Sequence, residues 1–209
     1  MQLSDALRQI AGDSGLDADA LIAFAAEDNY GGRDTGEFAA MSVHRDEGRV
    51  LYALVRALRP KTVIEVGVAQ GCTSTHILTA LAANEDGFLW SYDIETDGVG
   101  AAVPDELRDR WALYTGEDAL SIDDMPPADF IFEDGPHTYP WTRDMLRKLA
   151  LLNPRMIVTH DFYTEEVYPD FKVQQSFREA FGYLCGVKID GAFTGLGYAV
   201  GPFIAEGAI

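Results

Sequence analysis

The 209-residue chain reads as one α/β domain built on a doubly wound, mostly parallel sheet. Two observations predict this. After Pro60, short apolar runs rich in β-branched residues alternate with helical stretches. The first of those runs ends in a glycine turn that opens straight into a helix, the joint beside which open α/β sheets hold ligands. A chain of this length holds one such domain with a full core and a helical extension, but not a second large domain.

Residues 1–58 predict the helical extension. Leu3, Leu7 and Ile10 share one helical face, and Leu21, Ile22 and Ala25 share another. Residues 29–36 are rich in Gly and Asp and predict a loop. Val50, Leu51, Leu54, Val55 and Leu58 then recur at helical spacing over 44–58, and Pro60 stops that helix. The core is expected over 61–209. Strands are predicted at 62–66, 88–92, 111–114, 130–132 and 156–158, with helices at 73–83, 104–109 and 141–152. Buried strands joined by crossover helices give a parallel sheet covered on both faces. The tail predicts a helix at 168–181 and two strands at 183–189 and 197–204, joined by the turn-rich Asp190-Gly-Ala-Phe-Thr-Gly195. Such a terminal pair adds an antiparallel edge.

The formal net charge of −18 argues against nucleic acid and anionic membranes, both of which are held through Lys and Arg contacts to phosphate. No apolar run approaches the roughly 18 residues of a membrane span. The N-terminal segment lacks the basic and apolar regions of a signal peptide, so a cytoplasmic location is expected. Cys72 and Cys185 form neither a disulfide framework nor a zinc set; Cys72 is read as a packing residue beside the glycine turn.

Four strand ends carry the chemistry. The first is Glu65-Val-Gly67-Val-Ala-Gln-Gly71. A dinucleotide site would read G-x-G-x-x-G, with the pyrophosphate on the helix N-terminus. The spacing here is G-x-x-x-G, with a glutamate two residues before the first glycine. A carboxylate there suits a ligand bearing an ammonium or sulfonium, and S-adenosylmethionine bears both. Gly67 is expected to permit the tight turn, and Gly71 the close approach of backbone to ligand. The second is Asp93, whose carboxylate can accept from both hydroxyls of a ribose. The third is Gly116-Glu117-Asp118, where Asp118 is either an acceptor for an adenine amino group or the N-cap of a short helix.

The stretch from Asp46-Glu47-Gly48 through IEVGVAQGCTSTHIL, SYDIE, GEDAL, FIFEDGPHTY and MIVTHDFY resembles the class I S-adenosylmethionine-dependent methyltransferases. Within them it is most similar to the group of catechol, caffeoyl-CoA and macrolide-sugar O-methyltransferases. The resemblance covers about residues 40–165. It implies a Rossmann-like, seven-stranded sheet with its last strand antiparallel. It also implies cofactor contacts from Glu65, Gly67, Gly71, Asp93, Glu117 and Asp118, and methyl transfer to a small-molecule hydroxyl.

The fourth constellation lies past the next two strands. Asp134 and Asp161 should end neighbouring strands, where two carboxylates repel unless a cation lies between them. A hard dication would also lower the pKa of a substrate hydroxyl. The resemblance implies Mg²⁺ or a similar ion at these two positions. The chain departs from the pattern at Phe162, where the group usually supplies a third ligand. His137 and His160 are the expected general bases, with Asp134 beside them. Two alternatives stay open: a domain that binds the cofactor without catalysis, and a NAD-type oxidoreductase, which the glycine spacing disfavours. N-methylation in place of O-methylation, the identity of the acceptor and the oligomeric state, a homodimer included, are open as well.

Overall fold

The computed structural model describes residues 1–27, 43–166 and 168–203, so the expected loop at 29–36 lies outside the described residues. Three helices come first: α1 (Leu3–Ser14), α2 (Ala18–Ala25) and α3 (Arg45–Leu58). Asp17 caps α2 by accepting from the Ala20 amide. Helix α3 opens with a capping box in which the His44 ring accepts from the Asp46 amide and Glu47 accepts from the His44 amide. The core alternates β1 (Thr62–Val66), α4 (Cys72–Ala83), β2 (Phe88–Asp93), β3 (Trp111–Thr115), β4 (Phe130–Glu133), α5 (Tyr139–Leu151), β5 (Met156–Thr159), α6 (Val173–Phe181), β6 (Gly186–Val187) and β7 (Leu196–Val200).

The seven strands form one sheet in the order β3-β2-β1-β4-β5-β7-β6. Strands β1 to β5 run parallel, and β7 is antiparallel to both β5 and β6. The antiparallel strand is therefore inserted next to the edge, and the two-residue β6 forms the edge itself. Register is set by alternation. Val63 faces α3 and α4, while Ile64 and Val66 face α5 and α6. The first face takes in α1 and α2 as well: Leu7, Leu21 and Leu51 share a core with Val63, Phe130 and Tyr198, all of them solvent-excluded.

Three expectations change. The helix predicted at 104–109 is a 3₁₀ turn over Asp105–Arg110. The tail helix begins at Val173, after a turn at 168–172, and the strand predicted at 183–189 pairs only at Gly186–Val187. Chain geometry explains the last change. Gly182 ends α6 in the left-handed conformation, and β6 meets β7 only briefly before the turn at Gly191.

Candidate active site

The carboxyl ends of β1, β2, β3 and β4 open onto a cleft of about 280 Å³, near the lower end of small-molecule sites. It is lined by the 66–70 turn, Cys72 and Thr73 at the head of α4, residues 92–95, Asp118, Ala119, residues 134–136 and Trp141.

The first turn is fixed largely by backbone. Gly67 has φ +82°, and a Cβ there would overlap the carbonyl of Asp134. Gly71 has φ +88°, but its bare side faces Val103 and Gly100, where a Cβ would meet Val103 Cγ2 at 2.7 Å. Its missing side chain thus admits the neighbouring loop, and Gly71 is not among the cleft-lining residues. Glu65 lies under the turn, with no exposed surface, on the α4 side of β1. Its Oε2 accepts from Ser74 Oγ at 2.7 Å and Ser91 Oγ at 2.6 Å, while Oε1 has no partner among the described residues. Burial pushes its carboxyl up to about 7, against the two serine hydrogen bonds.

Asp93 lines the cleft, and its carboxylate ties the turn down. Oδ2 accepts from the Val68 and Ala69 amides, both at 2.8 Å, and Oδ1 from the Glu95 amide at 2.9 Å. Asp118 also lines the cleft. It caps the Ala119–Ser121 turn through Leu120 N and accepts from the Trp141 indole at 2.9 Å. Glu117 is exposed and lies outside the cleft lining.

The structure brings Asp134, His137, His160 and Asp161 together. Parallel pairing of Glu133 with Thr159 brings the ends of β4 and β5 together. Asp134 Oδ1 lies 3.2 Å from His160 Nδ1 and 3.6 Å from His137 Nε2. Asp161 Oδ2 lies 2.6 Å from His137 Nε2, and its Oδ1 accepts from Thr194 Oγ1 at 2.5 Å. Burial alone would lower both imidazoles, but the surrounding carboxylates outweigh it. Asp161 and Asp134, with Glu133 behind them, raise His137; Asp134, Glu47 and Asp161 raise His160 further. Burial would raise Asp161, yet the two histidines and Thr194 hold it well below the usual carboxylate range.

Sequence reasoning missed three contributors. Glu47, recognised only as part of a matching Glu-Gly pair, is buried and places Oε2 3.4 Å from His160 Nε2. Trp141 and Glu95 line the cleft; Trp141 lay in no motif, and Glu95 closed the segment SYDIE without being assigned a role. The capping pattern His44-x-x-Glu47 points to a helix start and not to a site. Phe162 is solvent-excluded in the core, its ring edge-on to Phe177 and seated over Gly186 and Gly197, so that position offers no ligand.

With this geometry in view, residues 64–162 match a family described as a methyltransferase domain. No curated protein matches the sequence. Among solved structures, the chain is similar to an O-methyltransferase from Bacillus cereus in complex with SAH (TM-score 0.62, 17% identity, 94% of this chain and 97% of that one). It is also similar to the O-methyltransferase TomG from Streptomyces achromogenes, involved in tomaymycin synthesis and in complex with SAM (0.57, 16%, 96% and 98%). A third is the N-methyltransferase NodS from Bradyrhizobium japonicum (0.55, 15%, 76% and 96%). Residues 64–162 thus match a methyltransferase-domain family, and the chain shares the fold of solved methyltransferases bound to SAM or SAH.

Proposed function

We propose that this protein transfers the methyl group of S-adenosylmethionine to a hydroxyl of a small molecule, assisted by a dication held by Asp134 and Asp161. The observation that carries the reading is the double position of Asp134. It lines the cleft and belongs to the His–Asp cluster, so a ligand in the cleft abuts the groups able to activate an acceptor.

The cleft fits the cofactor's chemistry. Gln70 lines it with a buried Oε1 that has no partner among the described residues, and Glu65 beneath has an unpartnered carboxylate oxygen. Both are acceptors suited to an ammonium donor. Bound there, S-adenosylmethionine supplies a methyl group already activated by its sulfonium. The chain's own residues then do three things. The 66–70 turn, pinned by Asp93, holds the ligand's amino-acid end. Asp93 and Glu95 at the end of β2 serve ribose hydroxyls, and Asp118 with Trp141 borders the base; Gly71 and Glu117 act only on loop packing and surface charge. His160, or His137 where no ion engages it, takes the acceptor's proton, and Asp134 orients the imidazole.

The acidic chain is read as a cytoplasmic enzyme of small molecules, with no nucleic-acid partner. No helix among the described residues is long and apolar enough to cross a membrane. A second reading, cofactor binding without catalysis, draws on Phe162 in place of the usual third ligand. Calorimetry and turnover separate the readings. The expected result is binding of S-adenosylhomocysteine but not NAD, weakened by about 1–3 kcal/mol in Asp93→Ala, together with methylation of hydroxyl acceptors that stops under EDTA. Binding without turnover on any acceptor supports the second reading; turnover that survives EDTA removes the metal.

A further inference from the structure

The two aspartates leave the kind of cation open, and the side chains around them narrow it. We propose that His137 is the third protein ligand of the cation held by Asp134 and Asp161, and that this nitrogen–oxygen set selects a borderline transition-metal dication of the Mn²⁺ to Zn²⁺ series over Mg²⁺ or Ca²⁺. The inference rests on the reading that these aspartates hold a cation at all.

Geometry supports the set. One ligand atom from each of Asp134, His137 and Asp161 lies within 4.8 Å of the other two. His137 Nε2 stands 2.6 Å from Asp161 Oδ2 and 3.6 Å from Asp134 Oδ1. An ion bonded at about 2.0–2.2 Å fits among three such atoms once the short His137–Asp161 contact opens slightly. The His137 ring is braced by the Phe171 ring, 5.7 Å away centroid to centroid. Its Nδ1 is buried with no partner among the described residues. Nε2 donates to Asp161 Oδ2 here, so an ion bound at Nε2 displaces that proton, as ligation by imidazole requires.

An independent observation comes from α3. Glu47, 1% exposed, directs its carboxylate at the cluster, with Oε2 3.4 Å from His160 Nε2 and Oε1 unpartnered among the described residues. A buried carboxylate beside two half-buried ones is costly unless positive charge lies near. The row Glu47–His160–Asp134 also has the form of an outer shell, with an anchored imidazole orienting a ligating carboxylate. His160 Nδ1 reaches both aspartates, at 3.2 Å and 3.4 Å.

Phe162 removes the oxygen donor that would complete a hard set, since its ring is committed to the core. Imidazole fills that vacancy. All-oxygen sites suit Mg²⁺ and Ca²⁺, whereas an imidazole nitrogen favours later first-row ions.

The test uses the full-length protein stripped of metal. Calorimetric titration with Mn²⁺ and with Mg²⁺ should show Mn²⁺ binding tighter by on the order of tenfold or more. The electron spin echo of bound Mn²⁺ should carry nitrogen modulation that is lost in His137→Gln and kept in His160→Gln. Equal affinity for the two ions, no nitrogen modulation in the wild type, or modulation that survives His137→Gln overturns the inference and leaves the cation reading intact. Failure of any dication to bind a folded wild-type protein overturns the cation reading beneath it. The wild-type affinity ratio and nitrogen signal stand as tests even where a variant does not fold.

Discussion

The two halves of the site are built differently. At the ends of β1 to β3, carboxylates are spent on neighbouring backbone: Asp93 on the 68, 69 and 95 amides, and Asp118 on the Leu120 amide and the Trp141 indole. At the ends of β4 and β5, carboxylates face imidazoles, and Glu47 joins from a helix 113 residues from His160 in sequence. The first half is a rigid cradle whose charges are consumed in shaping it. The second holds three perturbed titrating groups, His137, His160 and Asp161, the pattern expected where chemistry occurs. The difference implies that binding and turnover can be lost separately.

The largest expected effect comes from the second half alone. Asp134→Asn should lower kcat by on the order of a hundredfold, since on the proposed function it weakens a cation ligand and the partner of His160. Affinity for S-adenosylhomocysteine should change little. Equal loss of both would collapse the distinction between the halves. The cradle is broken by Gly67→Ala, which forces a side chain into left-handed backbone and against the Asp134 carbonyl. Strain of this kind costs about 1–3 kcal/mol, and the clash adds to it. Urea melts should show that loss, along with weakened cofactor-product binding. A variant of wild-type stability would mean that the turn is looser than described.

The third effect is a pH dependence under the cradle. Burial raises Glu65 from 4.5 to about 7, so the folded state holds a proton there that the unfolded state releases. Stability from this group is present below pH 4.5 and is lost as the pH rises towards 7. Glu65→Gln should flatten that part of the stability profile. An unchanged slope would show that Glu65 is not the titrating group.

Legibility in the sequence follows the same division. The order of strands and helices, the glycine turn and the acidic strand ends are local patterns, and they appear in the structure where apolar period and turn chemistry put them. The overreach at 183–189 has a tertiary cause, because a strand ends where its partner turns away, and of that segment only Gly186 and Val187 pair with β7. The missed Glu47 has another: its capping pattern is satisfied within α3, and nothing local shows that the same carboxylate meets β5. Phe162 was read as a gap in a motif, but the glycines at 186 and 197 that seat its ring lie on two other strands.

The sequence by itself determined the α/β alternation, the left-handed turn at Gly67 and the meeting of Asp134 with Asp161. Each follows from local periodicity, glycine's backbone freedom or the parallel pairing of successive strands. Only the tertiary structure decided that Gly71 makes room for a loop, that Asp93 is occupied by backbone amides, and that Glu47 joins the histidines. Those outcomes depend on which distant segments pack together. A buried carboxylate takes whatever donors the packed chain brings within hydrogen-bond reach.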